Sequence, residues 1–171
     1  MIFKLLGLMM LFGVCTTAGL LKSAMFSKRV RQLEGFVGAL DAISTEIRYL
    51  AAPLEDIMAK CDAMPEYKEL RVFGMCREIF IRERDFPAAW EKALHMAKTE
   101  LALDAGDHEA LAWFGRVLGT TDVDGQTANC ARYGELLRQR LTRAREDRAK
   151  RGKMYTSLGV LAGVFLVVIL F

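Results

Sequence analysis

Four cysteines, Cys15, Cys61, Cys76 and Cys130, and two histidines, His95 and His108, are the side chains of this sequence best suited to nucleophilic or metal chemistry. Their spacing supports neither. No C-x-x-C pair is present, and two isolated histidines cannot complete a zinc set or a disulfide framework. Free cysteine is among the most buried residue types, so the four read as buried thiols in a reducing compartment. Neither histidine has a serine or cysteine at a plausible position to act on, and a lone helical histidine reads as surface or satisfied core rather than as a base. Phosphate-cradling glycine loops and the G-x-S-x-G, H-E-x-x-H and EF-hand patterns are absent. Glu46 and Arg48 stand beside an apolar stripe, either as a buried pair or as solvated flank charges, and one carboxylate makes no acid–base couple. Trp90, Trp113 and Phe114 fall on apolar helix faces and read as core, with an exposed partner-binding anchor as the alternative. The sequence therefore carries no catalytic residue, no cofactor site and no metal site.

What remains is charge. Between Gln32 and Ala131 there are 10 Lys/Arg and 18 Asp/Glu, a balance of −8, although the whole chain is +3. The basic residues crowd into two necks, Lys22 to Arg31 and Arg138 to Lys153. In the second, Arg138, Arg145, Arg148, Arg151 and Lys153 form a basic collar that abuts an uncharged run, so headgroup contact is a simpler account of it than nucleic acid. The acidic body offers Glu66, Glu69, Glu83 and Asp85 around loops and helix starts as candidate partner-docking residues.

The elements that carry these charges follow from periodicity. Met154 to Phe171 holds no charge, and its 18 residues span about 27 Å as a helix, enough to cross a hydrocarbon core. Leu5 to Leu21 is also uncharged and reads as an uncleaved anchor; a cleaved signal ending near Ala18 and a lipoprotein signal at Cys15 compete with it. The positive flanks both belong to the middle segment, which places that segment in the cytoplasm and both chain ends outside. Val30, Leu33, Val37, Leu40, Ile43, Ile47 and Leu50 mark a long first helix closed by Ala52-Pro53. Pro53, Pro65 and Pro87 open three more, Asp107 caps a fifth that Gly119 ends, and Asp122 or Asp124 caps the sixth, unbroken to Phe171. No strand alternation is present. The expected fold is all-α, a six-helix cytoplasmic bundle flanked by N- and C-terminal transmembrane helices. Its domains are 1–22, 23–153 and 154–171. Gly159 and Gly163 put a small-residue face on the last helix, with Gly13 and Thr17 as the surface opposite.

The segments RQL (31–33), ALDAISTEI (39–47), PL (53–54), AAWEKAL (88–94), FGRVLGTTDVDGQ (114–126) and KMYTSLGVLAG (153–163) run in order along nearly the whole chain. Together they resemble the stage III sporulation protein AB family of endospore-forming bacteria, itself similar to inner-membrane platform proteins of type II secretion and type IV pilus systems. Thr121 stands where Ser is expected before Asp122, and Ala52 where Thr often precedes Pro53; both exchanges preserve turn or capping chemistry. The resemblance implies a nonenzymatic, multi-pass membrane scaffold of the channel complex between mother cell and forespore, on the mother-cell side of the outer forespore membrane. It implies as partners the stage III sporulation protein AA ATPase and other channel components, with no nucleic acid and no small-molecule substrate. The competing reading is a secreted or lipid-anchored helical binding protein with no sporulation role.

Overall fold

The computed structural model describes residues 2–170, and among them there are helices and turns but no strand. α1 spans Ile2–Thr45, α2 Leu54–Ala63, α3 Val72–Glu83, α4 Phe86–Met96, α5 Ala105–Val117, α6 Val123–Asp147 and α7 Lys153–Leu170. α6 and α7 are joined by one π-helical turn, Arg148–Gly152, so the described residues form the six helices expected of an all-α fold. The chain divides into two compact units. One is Arg31–Thr142; the other pairs Met1–Val30 with Arg143–Phe171.

In the Arg31–Thr142 unit, the three/four repeat of α1 buries Leu33, Phe36, Leu40 and Ile43, and the turn after it buries Ile47. Phe36 takes the deep position expected for Val37, and Leu50 lies in solvent rather than on the stripe. Past Thr45 the helix widens into a π turn, Glu46–Leu50, which advances the helix by about one residue out of register. It ends at Ala51, in the left-handed region at φ 45°. Glu46 bonds Lys60 at 2.7 Å while Arg48 is exposed, so the charges beside the stripe are not a buried pair.

Two helix starts differ from the sequence expectation. Pro65 opens only a 3-10 turn, Pro65–Tyr67, because Arg71 at φ 55° breaks the chain before α3 begins at Val72. The fifth helix is capped by Asp104 rather than Asp107. Asp104 Oδ1 accepts the Asp107 N–H at 2.8 Å while Asp107 Oδ2 accepts the Asp104 N–H at 3.1 Å, a reciprocal capping box that satisfies two otherwise orphaned donors. α4 starts one residue before Pro87, with Asp85 as its cap.

The centre of the core is Trp90, fully buried, with Phe73, Phe86 and Phe114 at ring-centroid distances of 5.9, 6.2 and 5.7 Å. Its indole N–H donates to the Leu111 carbonyl at 2.8 Å, which satisfies the single polar atom of the side chain. Gly115 makes that seat: any Cβ there would collide with the indole ring. Gln32 is buried without apolar character. Its amide oxygen accepts from Ala102 N–H at 2.7 Å and its amide nitrogen donates to the Glu100 carbonyl at 3.3 Å, tying the loop after α4 to α1.

In the other unit the two chain segments pack backbone to backbone. A Cβ at Gly159 would lie 2.9 Å from the Cys15 carbonyl oxygen and 3.1 Å from Gly19 Cα, and a Cβ at Gly163 would meet the Phe12 ring at 2.7 Å. The surface opposite Gly159 and Gly163 is therefore Phe12, Cys15 and Gly19. It is not Gly13 and Thr17: a Cβ added at Gly13 would meet nothing within 4 Å, and the Thr17 hydroxyl donates to the Gly13 carbonyl of its own helix at 2.9 Å. The reason is register, which sets Gly19 rather than Gly13 against Gly159, two hydrogens facing each other. Phe26 stacks on Tyr155 at 5.9 Å, and the π turn sets Gly152 beside the Ser23 hydroxyl.

Candidate interaction surface

The four candidate docking carboxylates do not form one patch. Glu66 is exposed in the 3-10 turn, and Glu69, also exposed, lies 3.8 Å from Arg31. Glu83 accepts from Lys92 through both oxygens at 2.7 Å, and Asp85 caps α4 by accepting the Ala88 N–H at 3.1 Å. Glu69 precedes α3 and Glu83 ends it, so at 1.5 Å per residue the two pairs stand about 16 Å or more apart along that helix.

The basic neck divides as well. Arg138 is held inside the Arg31–Thr142 unit, donating to both oxygens of Asp41 at 2.8 Å. Arg143, Arg145, Arg148, Lys150, Arg151 and Lys153 are exposed in the other unit, against Glu146 and Asp147. Asp147 is shared by Arg151 at 3.1 Å and Arg29 at 3.7 Å. Long, exposed basic side chains flanking an apolar helix suit an anionic headgroup layer.

A groove of about 740 Å³ runs between α5 and α6. Trp113, 49 % exposed, stands on it and is not core, because α5 turns Ala110, Leu111 and Phe114 inward and leaves its neighbour outside the apolar arc. The Arg116 guanidinium lies 4.9 Å from the Trp113 ring centre. Arg140 enters the same groove. Its Nη1 is 3.7 Å from the fully buried Asp107 and 3.9 Å from Asp104, while its buried Nε has no hydrogen-bond partner among the described residues.

The titratable groups offer little chemistry. Burial raises the Cys61 thiol to about 12, helped by Glu46, and raises Cys76 to about 12. Cys130 rises to about 11 by burial and then Asp41. These thiols are poor nucleophiles at neutral pH. His108 is held below the ordinary imidazole value by burial and then by Lys98, against Asp107 and Asp104. Among the described residues no group of three His, Cys, Asp or Glu is arranged to hold a metal ion.

Gln32, Asp104, Gly19 and Gly115 escaped the sequence reading, while Trp113 takes the exposed position that was the alternative to core. Only Asp104 had a local signal, the D-x-x-D spacing of a capping box. The others depend on which helix lies opposite.

Two helices, Met9–Leu50 and Val123–Ile169, contain stretches long and apolar enough to cross a membrane by length and composition. The family model described as Stage III sporulation protein AB matches residues 4–171. Stage III sporulation protein AB of Bacillus subtilis (strain 168) is 27% identical over 168 residues, covering 98% of this chain and 98% of the relative. A solved structure of a Stage III sporulation protein AB aligns with a TM-score of 0.64 at 24% identity, covering 72% of this chain and 98% of that one. At that identity the structural likeness establishes the fold alone.

Proposed function

This chain belongs to the stage III sporulation protein AB family, with the sporulation role that membership carries, and from that premise we propose that it is a nonenzymatic membrane scaffold of the transenvelope channel complex between mother cell and forespore. In this reading it docks the stage III sporulation protein AA ATPase on the cytoplasmic face and other channel components within the membrane, on the mother-cell side of the outer forespore membrane. The observation that carries it is the segregation of charge. An acidic body, −8 between Gln32 and Ala131, is paired with an exposed basic collar that adjoins two apolar helix stretches. An anionic lipid surface attracts the collar and repels the body. Residues 1–22 and 154–171 serve as the anchors and 23–153 as the cytoplasmic domain. The packing of Gly19 on Gly159 supports a retained first anchor, because cleavage near Ala18 would remove Phe12 and Cys15 from the helix pair.

Topology is testable with the buried thiols left in place and Cys15 replaced by alanine. A cysteine introduced at the exposed Thr120 is expected to react with a membrane-impermeant maleimide only after the cells are lysed. Labelling in intact cells would place the domain outside.

Docking is testable with the full-length protein in nanodiscs and the purified ATPase. Binding should weaken at least about tenfold between about 0.01 M and about 1 M salt, as the screening length falls from about 30 Å to about 3 Å. Changing Glu66 and Glu69 to Gln should weaken it further. Glu83→Gln and Asp85→Asn are read beside a melting curve, since each also breaks a contact within the fold. Binding that ignores both salt and the Glu66/Glu69 pair would rule out electrostatic docking through the acidic body.

A further inference from the structure

The helix that runs from the end of α6 into α7 carries one residue more than a plain α-helix needs. Ala144, 1% exposed, marks its buried side, and Gly152, Gly159 and Gly163 mark the side that meets α1. Gly152 to Gly159 is a step of seven residues, two turns less about 20°, so those two share a face. Ala144 to Gly152 is a step of eight, which in an α-helix swings Gly152 about 80° off the buried side. The π turn Arg148–Gly152 falls inside that step, and by closing from i to i+5 it takes up the surplus residue. Gly152 and Gly159 face α1 because of it.

Were the same residues a plain α-helix, the positions seven and fourteen after Ala144 would face α1 instead. Those are Arg151 and Leu158, both exposed in the π form. Leu158 has no room there, since a Cβ alone at Gly159 already comes to 2.9 Å from the Cys15 carbonyl oxygen and 3.1 Å from Gly19 Cα. Straightening the turn therefore rotates α7 by about 100° and parts the two helices. Little fastens the π form besides the glycine contacts. Asp147 pairs with Arg151 at 3.1 Å and with Arg29 of α1 at 3.7 Å, and solvent-accessible ion pairs of this kind are weak. π turns are rare inside α-helices and gather at functional sites.

We propose that Arg148–Gly152 is a register switch: as a π turn it clasps α7 to α1 through Gly152 and Gly159, and on straightening to α-helix it releases them. The switch is independent of the ATPase reading, because every residue in it belongs to the unit of Met1–Val30 and Arg143–Phe171.

The experiment uses the full-length protein in nanodiscs, with Cys15 replaced by alanine and one of two engineered cysteine pairs. Ser23→Cys with Gly152→Cys reads the π form, and Ser23→Cys with Arg151→Cys reads the straightened one. Each pair is made in the unaltered helix and with Ala149 deleted, an exposed residue whose loss removes the surplus position without removing a buried side chain. Seven residues then separate Ala144 from Gly152, so a plain α-helix holds the clasp and has no second register to straighten into. Closure of the 23/152 pair is expected to stay within about threefold on deletion, while closure of the 23/151 pair should slow at least about tenfold. Deleting the exposed Lys150 in place of Ala149 should give the same pattern, because either change takes one residue out of the turn. Loss of 23/152 closure in both deletions would mean that the π turn does not set the register. Equal closure of the 23/151 pair with and without Ala149 would mean that the turn does not straighten, and either result overturns the proposal.

Discussion

Replacing Trp90 with alanine is expected to cost about 3–5 kcal/mol, the range for deleting a large aromatic side chain from a packed interior. Trp90 is fully buried between Phe73, Phe86 and Phe114, and its N–H is the partner of the Leu111 carbonyl. With about 4–8 °C per kcal/mol for a domain near 100 residues, the melting midpoint of the full-length protein in detergent should fall by on the order of 15 °C. Trp90→Phe should fall by less, since a ring still occupies much of the space while the bond to Leu111 is lost. The seat cannot be rebuilt from the other side. Enlarging Gly115 drives a Cβ into the position of the indole, so Gly115→Val should destabilise the protein even though it adds apolar volume. Thermal melts by circular dichroism decide the matter. An unchanged midpoint for Trp90→Ala together with lost partner binding would make Trp90 an interface anchor and not the core.

Gly19→Leu is expected to separate the two apolar helices. A Cβ at Gly19 would stand 2.7 Å from the Tyr155 carbonyl oxygen, a contact with backbone that no rotamer change relieves. Ser23→Cys with Gly152→Cys gives the readout, because a Cβ at Gly152 lies 3.3 Å from Ser23 Oγ, close enough for a disulfide. With Cys15 changed to alanine, oxidation should close this pair readily, and the buried Cys61, Cys76 and Cys130, with thiols raised to about 11–12, should not compete. Adding Gly19→Leu should slow closure about tenfold or more, the equivalent of about 1.4 kcal/mol of lost association. Gly13→Leu should leave it unchanged, since a Cβ there meets nothing within 4 Å. Equal cross-linking in both variants would mean that Gly159 and Gly19 do not set the helix contact.

The division between what was legible in one dimension and what was not follows the range of the interactions. Periodicity along Val30 to Ile47, along Phe86 to Met96 and along α6 is a local property, so helices, their number and the two apolar ends could be read from residue order. The charge segregation is likewise a matter of order. Helix starts were legible only in part: Asp85, Asp104 and Asp107 are all plausible caps, and the backbone at Arg71 and Ala51 turned left-handed where composition gave no glycine to signal it.

Residue order alone determined that this is an all-α chain with an acidic body, basic necks and two apolar helix stretches, because those properties depend on neighbours three or four residues away. Only the tertiary structure decided that Trp90 is core and Trp113 surface, that Gly19 rather than Gly13 meets Gly159, and that Arg138 answers Asp41 across 97 positions of sequence. Each of those outcomes depends on which residue of a distant helix stands opposite. Helical periodicity specifies a face but carries no information about its partner, and a rotation of one residue, about 100°, moves a side chain from buried to exposed.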